Sequence, residues 1–363
     1  MLAENHVRSA KIGNTEKDQF PFFTSMIAVV KDVLSDTKYG KKYEHLIELS
    51  EKYPNEKFYK LISISTTRFA GYFHDVLYAI LADIKIIIES LRERSENDDD
   101  KDAKLLLKRI SNIRFLALLS GMVDIYSTLG KLCGILQKVN LFIWERKQMV
   151  EKYLDNMGLV INELHSDIAT RTKWCTLNKY WPLLEKKQIG EEIVALEEEE
   201  HYRLRKSTIL ETFSHEAENP ALCTPKSILS NTRRQLQEYL QTLQVAIRER
   251  LLNDEEENLL CKHTSTLTNL KKYQVLIKQF GPEAFVTHVS LSDILNACKY
   301  TTETEATDIM LLEQIKIFLR RVHPYLVPDT LNSRAILVDC MVKPQLYESI
   351  PEYMQCIVTC FLI

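Results

Sequence analysis

The longest uninterrupted helical pattern in the chain runs from residue 103 to residue 171. Apolar side chains recur there at a spacing of three to four, and the weak points are Gly121, Gly130, Gly134 and Gly158. Helix breakers are scarce throughout, with 9 Gly and 10 Pro in 363 residues. Because such a stretch buries its apolar stripe against other helices, the pattern predicts a core of long helices.

A second helical stripe comes before this one. It begins near Thr66 or Thr67, either of which suits the N-cap, and its apolar face continues to about Arg94. The acidic run 96–102 is too polar to bury, so it predicts an exposed turn between the two stripes. The C-terminal MQCIVTCFLI follows Pro351, which suits a first helical turn and favours helix over a buried strand.

The predicted fold class is therefore mainly α, a long-helix bundle, with helix in more than about half of the residues and strand in under about a tenth. We expect three segments: short helices in 1–65, the long-helix core in 66–219 and a C-terminal helical region in 220–363, with a boundary near Pro220. One predicted core unites the apolar residues Phe69, Phe73, Leu77, Leu118, Ile125, Leu129, Leu132 and Trp144.

Composition excludes several classes of function. A net charge of -3 does not favour nonspecific nucleic-acid binding. The 8 scattered Cys lack paired zinc spacing and fit a reducing compartment, so we expect a nuclear or cytoplasmic protein. No apolar leader pattern and no run of about 18 to 20 uncharged apolar residues is visible, so no membrane partner is expected. Composition leaves the oligomeric state open.

Motif searches predict no catalytic, cofactor-binding or metal-binding residues and no cofactor. Phosphate loops, G-x-S-x-G and H-E-x-x-H are all absent. The nearest metal-like spacing is Cys261 with His263, which a helix edge explains more simply. His74 beside Asp75 could form a base and its carboxylate, but no nucleophile accompanies them, so a polar helix face is favoured.

Two pairs of arginines are the candidate nucleic-acid contacts. Arg233 and Arg234 lie in KSILSNTRRQLQ, and Arg320 and Arg321 lie in FLRRVHPY. Few aromatic residues interleave with them, which favours solvated faces. Any contact with DNA is therefore predicted to be weak and sensitive to salt.

Three consecutive segments resemble the middle of hAT-type transposase-like proteins, over roughly residues 35 to 170. They read YGKKYEHLIELSEKYPNEKFYKL, STTRFAGYFHDVLYAIL and RFLALLSGMVDIYSTLGKLCGILQK. The family's Thr-Arg-Trp motif is similar to Thr67, Arg68 and Phe69, with Phe in place of Trp. Its later Leu-rich helix is similar to the residues Asp124, Ile125, Leu129, Leu132, Leu136 and Gln137.

The resemblance implies an RNase H-like fold in which three carboxylates hold two metal ions for DNA cleavage. Only 67 residues precede Arg68, without the strands and terminal Asp expected there, and the Glu-Arg pair expected near the third carboxylate is missing. The resemblance thus implies an inactive helical insertion with few residual strands, serving as a module for binding a protein partner. There are two alternatives. One is an unrelated helical scaffold with no nucleic-acid role, and the other is a fragment that retains an enzymatic activity whose residues no motif in the sequence reveals.

Overall fold

The computed structural model describes most of the chain. The described residues are 9–12, 15–18, 20–37, 40–53, 57–61, 69–97, 100–138, 141–166, 172–189, 224–281, 284–302, 306–326 and 332–362. The predicted N-cap at Thr66 or Thr67 and the boundary residue Pro220 lie outside these ranges.

The structure is mainly α, as predicted, and helices cover more than half of the chain. The helices are α1 Pro21–Thr37, α2 Lys41–Glu51, α3 Phe69–Ala82, α4 Ile84–Asn97, α5 Lys101–Ile110, α6 Ile113–Leu136, α7 Ile143–Glu163, α8 Cys175–Glu185, α9 Pro225–Leu251, α10 Glu255–Thr268, α11 Lys271–Phe280, α12 Phe285–His288, α13 Leu291–Thr301, α14 Asp308–Val322, α15 Ser333–Val342, α16 Pro344–Ser349 and α17 Pro351–Leu362. A 3-10 turn, His323–Leu326, follows α14. The helix expected after Pro351 is confirmed as α17.

The strands in the described ranges form one antiparallel hairpin near the start of the chain. Strand β1, Ser9–Ile12, pairs with β2, Thr15–Asp18, in the register that sets Ser9 opposite Asp18. Sheet therefore contributes little to the architecture, and helix packing builds the cores.

The chain divides into two compact units. Unit 1 comprises residues 1–137 and 153–248, and unit 2 comprises residues 138–152 and 249–363. The three predicted segments do not coincide with these units, because α7 and α9 each contribute residues to both. The apolar periodicity of the sequence is continuous along each of these two helices, so it does not indicate where one unit ends and the other begins.

The stripe predicted from Thr66 to Arg94 forms two helices, α3 and α4, that meet at Asp83. The Asp83 side chain is buried, and its carboxylate accepts the backbone N–H of Tyr59 at 3.1 Å. The preceding segment is thereby tied to the junction between the two helices.

The turn predicted in the acidic run lies between α4 and α5. Asp100 is the N-cap of α5, and its carboxylate accepts the backbone N–H groups of Asp102 and Ala103, each at 3.0 Å. The Asp100 carboxylate also lies 3.7 Å from the Arg94 guanidinium. A cap and an ion pair therefore hold the Asp100 side chain in place at the predicted turn.

Helix α6 is the central helix of unit 1. Its N-cap Asn112 accepts the backbone N–H of Arg114 at 2.8 Å, and α3 and α8 pack against it. Among the described helices, α6 alone has the length and apolar composition to cross a membrane, although no such run was expected from the sequence. Most of this helix is buried within unit 1.

The single predicted core is wrong in one respect, because its members fall in two units. Phe73 and Leu77 are buried in unit 1, whereas Trp144 is buried in the core of unit 2. Leu129 is only half-buried. Phe69 begins α3, but its side chain lies outside the described residues.

Unit 2 has its own apolar core. Phe142 and Trp144 pack there with residues from α10 to α17, and the Trp144 indole N–H donates to the Thr268 hydroxyl at 2.8 Å. Because the polar edge of this ring is satisfied, Trp144 is buried without cost from an unpaired donor. Its predicted packing role is confirmed, within unit 2.

Candidate functional site

Three helix ends meet at one end of unit 2. The Lys299 ammonium lies 2.6 Å from the Asp308 carboxylate, which joins the last turn of α13 to the first turn of α14. The Thr302 hydroxyl donates to the Thr359 hydroxyl at 3.2 Å, which joins the end of α13 to α17. These two contacts bring the end of α13, the start of α14 and the end of α17 together.

Large apolar side chains at these helix ends face solvent. Ile309 is 77% exposed and Leu362 is 82% exposed, and Met310 and Tyr300 are also exposed. We call these four residues the helix-end surface. Isolated apolar side chains are common on protein surfaces, but several at one place mark sites where another molecule binds.

The start of α14 explains why Ile309 and Met310 point outward. Thr307 is the N-cap, and its hydroxyl accepts the backbone N–H of Met310 at 3.4 Å. The apolar stripe of α14 begins one residue later and faces the core through Leu311, Ile315, Phe318 and Val322. Ile309 and Met310 lie off this stripe, so helix geometry directs them away from the core.

A neutral histidine supports the aromatic part of this surface. The His263 ring stacks on Tyr300 with a centroid separation of 4.3 Å and an interplanar angle of 24°. Burial, and then the neighbouring Lys262 charge, lower the pKa of His263. The ring is therefore uncharged at neutral pH, and it extends the helix-end surface without adding charge.

The four predicted arginine contacts fall on two different helices. Arg233 and Arg234 lie on α9 in unit 1, where Arg233 is half-buried and Arg234 lies 3.9 Å from the Glu238 carboxylate. Arg320 and Arg321 are exposed in the last turn of α14 in unit 2. Basic side chains at a helix C-terminus also complement the helix dipole, which is a structural reason for that second pair.

The other candidates from the sequence, the pair His74 and Asp75 and the pair Cys261 and His263, make contacts that are typical of helix packing. His74 Nδ1 lies 3.0 Å from the Asp75 carboxylate, and the His74 ring stacks on Tyr78. Cys261 is buried, and burial raises the pKa of its thiol, while His263 contacts Tyr300. Two positions apart on a helix, Cys261 and His263 point in different directions. Within the described residues, no three His, Cys, Asp or Glu side chains converge in a way that could hold a metal ion.

One arrangement of polar residues was missed by sequence reasoning. His45 in α2 lies 3.0 Å from the Ser90 hydroxyl through Nδ1 and 2.9 Å from the Glu93 carboxylate through Nε2. A hydroxyl, an imidazole and a carboxylate in a row resemble a hydrolytic triad. No spacing could have revealed it, because His45 is distant in sequence from Ser90 and Glu93.

The surroundings of this triad favour a structural role. Ser90 is 2% exposed, and it lies inside α4, where backbone N–H groups are already bonded within the helix. A substrate carbonyl would need both access to the hydroxyl and free N–H donors. The hydrogen bond from His45, opposed by burial and assisted by Lys52, lowers the pKa of Glu93. These contacts fasten α2 to α4.

Three thiols form a buried cluster in unit 2. Cys298 lies on α13, and Cys356 and Cys360 lie one turn apart on α17. All three are buried and are free thiols. Sequence spacing alone showed only scattered cysteines, because the packing of α13 on α17 brings them together.

Comparison with family models, with curated proteins and with solved structures finds no match to this chain.

Proposed function

We propose that this chain is a helical interaction module that binds a protein partner through the helix-end surface of unit 2. The observation that carries the proposal is the exposure of Ile309 and Leu362 at helix ends that polar contacts hold together. The partner would present a complementary apolar surface. A nuclear or cytoplasmic location agrees with the free thiols in the described ranges.

The energetics of burial support this role. Fully burying a side chain of the size of isoleucine or leucine contributes roughly 1.5 to 3 kcal/mol. Ile309 and Leu362 retain most of their surface in the isolated chain, so a partner that covers both would recover much of that free energy. The surrounding Lys299 and Asp308 form an ion pair, which gives the apolar residues a polar rim.

We further propose a transposase-derived origin for the module. The support is the resemblance of residues 35 to 170 to hAT-type transposase-like proteins, including Arg68 and Phe69. In this proposal the chain is the helical insertion of an RNase H-like fold, binds a protein and does not cleave DNA. The two arginine pairs would add weak DNA contacts.

One observation favours the alternative, an unrelated helical scaffold with no nucleic-acid role. A hAT-type insertion would pack its helices against remaining strands of the RNase H-like core. The described ranges contain one hairpin, β1 with β2, as their sheet. A measured absence of DNA binding together with a retained protein partner would favour the scaffold.

The test is quantitative affinity capture with mass spectrometry, followed by binding of the identified partner in purified form. Ile309→Glu places a charge on the helix-end surface, and Val275→Glu, on α11 of the same unit, is the matched control at a residue that is 63% exposed. We expect binding of one partner to fall about tenfold or more with the first variant, equivalent to about 1.4 kcal/mol, and to persist with the second. Equal binding of every captured protein by both variants would contradict the proposal.

A further inference from the structure

Helix α5 carries a basic face on its exposed side. Lys101, Lys104, Leu105 and Lys108 lie on the same side of this helix, within about 100° of arc, because an α-helix turns once in about 3.6 residues. Lys101 and Lys104 are exposed, and Lys108 is half-buried. Leu105 lies between the lysines and is 60% exposed. We call these four residues the lysine face.

The opposite side of α5 is buried in unit 1. Ala103, Leu106 and Ile110 form the apolar stripe of this helix, and α1 and α4 pack against it. Turning the helix to hide Leu105 would expose this stripe, so Leu105 stays at the surface when the unit is folded. Only a second molecule can cover it.

The carboxylates near the lysine face are engaged by other residues. Asp32 of α1 pairs with Arg109, and Asp36 of α1 pairs with Arg94. Asp100 caps the first turn of α5. Within the part of the chain that the structure describes, the three lysines of the face form no ion pair. Their charges are therefore available to an anionic partner.

The spacing of these lysines is unfavourable for the helix itself. Lys104 follows Lys101 by three residues and Lys108 follows Lys104 by four, so like charges are neighbours on the helix surface. Lys101 is also the first residue of α5, where the helix dipole favours a negative charge. Asp102 has leucines three and four residues further on, so it does not offset this repulsion. Carboxylates from a partner would relieve it.

We propose that the lysine face binds an acidic segment of a protein partner. An apolar side chain of the segment covers Leu105, and its carboxylates reach the three surrounding ammonium groups. The lysine face belongs to unit 1, whereas the helix-end surface belongs to unit 2, so this inference does not rest on the proposed function.

Two other anionic partners fit the lysine face less well. An anionic membrane attracts lysines, but the binding of an amphipathic helix grows with the apolar area that it inserts. Helix α5 has Leu105 alone to insert, since its apolar stripe is already buried in the unit. Nucleic acid would place phosphates against the leucine, and the lysine face has no aromatic ring on which a base could stack. Charge together with one central apolar contact favours an acidic peptide.

The test measures the binding of a labelled peptide with the repeat Glu-Glu-Leu-Glu to the full chain by fluorescence anisotropy. Replacing all three lysines of the face by glutamine should weaken binding about tenfold or more, because three attractive charges are lost. Leu105→Ser should weaken binding about fivefold or more, because the peptide leucine loses its apolar contact. A second peptide with serine in place of leucine should not distinguish Leu105→Ser from wild type.

The matched control makes the same change in net charge elsewhere in unit 1. Lys131, Lys186 and Lys226 are exposed and lie outside α5. Replacing these three by glutamine should change the affinity by less than about twofold, since salt screens charges that are remote from the binding site. Glutamine is nearly as good a helix former as lysine, so circular dichroism should show the same helicity in both triple variants.

Lysine labelling of the unaltered chain keeps the test decisive if a variant fails to fold. The chain is acetylated with and without the peptide, and the modified positions are read by mass spectrometry. The peptide should protect the lysines of the face and leave the three control lysines equally labelled. Absence of peptide binding, equal weakening in both triple variants, or unchanged labelling of the face would overturn the proposal. So would binding of phosphatidylserine vesicles or duplex DNA to the lysine face that the peptide does not displace.

Discussion

The carboxylate of Asp124 in α6 accepts the backbone N–H of Leu177 in α8 at 2.9 Å. It also accepts the N–H of Thr176 at 3.1 Å, while the N-cap residue Trp174 provides no side-chain cap. A carboxylate from one helix therefore satisfies the first turn of another. This replaces the local cap and fixes where α8 begins against α6.

Removing this carboxylate should destabilise unit 1. Asp124→Ala leaves two N–H groups without their acceptor, and we expect a loss of about 1 to 3 kcal/mol in the free energy of unfolding. Asp124→Asn keeps one acceptor oxygen and is the control, with a smaller loss. Urea denaturation followed by circular dichroism measures both. If Asp124→Ala were as stable as Asp124→Asn, the Asp124 carboxylate would not be the acceptor that stabilises the first turn of α8.

The same residue predicts a dependence of stability on pH. Burial raises the pKa of Asp124 above its ordinary value of 3.8, although the Leu177 and Thr176 N–H groups lower it. The folded protein then holds this proton more tightly than the unfolded chain. The stabilisation is therefore complete below pH 3.8 and is lost as pH rises through the raised folded pKa. The stability of wild type relative to Asp124→Asn should fall across that window in urea titrations, and a rise would refute the assignment.

Two glycines of α6 should respond in opposite directions to alanine. A Cβ on Gly121 would lie 2.4 Å from Leu236 Cδ1 of α9, whereas a Cβ on Gly134 meets no atom within 4 Å. Leu236 is fully buried, so it has little room to move. We expect Gly121→Ala to destabilise by roughly 1 to 3 kcal/mol and Gly134→Ala to stabilise by up to about 1 kcal/mol. Thermal melts should show a lower melting temperature than wild type for Gly121→Ala and a higher one for Gly134→Ala.

The loss of stability on replacing a leucine of α6 by alanine should depend on how deeply that leucine is buried. Leu119 is fully buried, and replacing it by Ala should cost roughly 2 to 5 kcal/mol through the cavity it leaves. Leu129 was predicted to lie in the core, but it is half-buried, so we expect Leu129→Ala to cost less than half of that loss. Equal losses in chemical denaturation would place Leu129 in the core after all.

Binding to DNA should be weak and should decline steeply with salt. Each phosphate contact from an arginine releases condensed counterions, so binding that depends on such contacts weakens as ionic strength rises. In fluorescence anisotropy between about 50 and 200 mM salt, we expect the paired variants Arg233→Ala with Arg234→Ala, and Arg320→Ala with Arg321→Ala, each to weaken binding. Sequence-specific binding that is insensitive to salt would contradict this prediction.

The purified chain should not nick supercoiled plasmid with Mg²⁺ or Mn²⁺. Two-metal catalysis needs carboxylates that converge on ions about 4 Å apart. Asp100 caps α5 and Asp254 caps α10, accepting the Glu257 N–H at 3.0 Å. The control is the triple variant of Asp98, Asp99 and Asp100 to Ala, with its helicity checked by circular dichroism. Metal-dependent nicking that this variant loses would show a nuclease site.

Local patterns in the sequence determined the helical character of the chain. Apolar residues at three-to-four spacing predicted α6 and α7, and Pro351 indicated the start of α17, because a helix forms from hydrogen bonds between residues four apart. The turn before α5 was predictable for the same reason, since Asp100 acts on N–H groups two and three residues ahead.

The tertiary structure alone decided which helices share a core and which side chains meet. Trp144 has the same apolar spacing as its neighbours, yet it packs in unit 2, and the junction at Asp83 depends on Tyr59. Nothing in the local pattern pairs Asp124 with Leu177 or Cys298 with Cys356. Periodicity shows which face of a helix is apolar, but the partner of that face depends on how distant helices pack and on how their side chains fill the space between them.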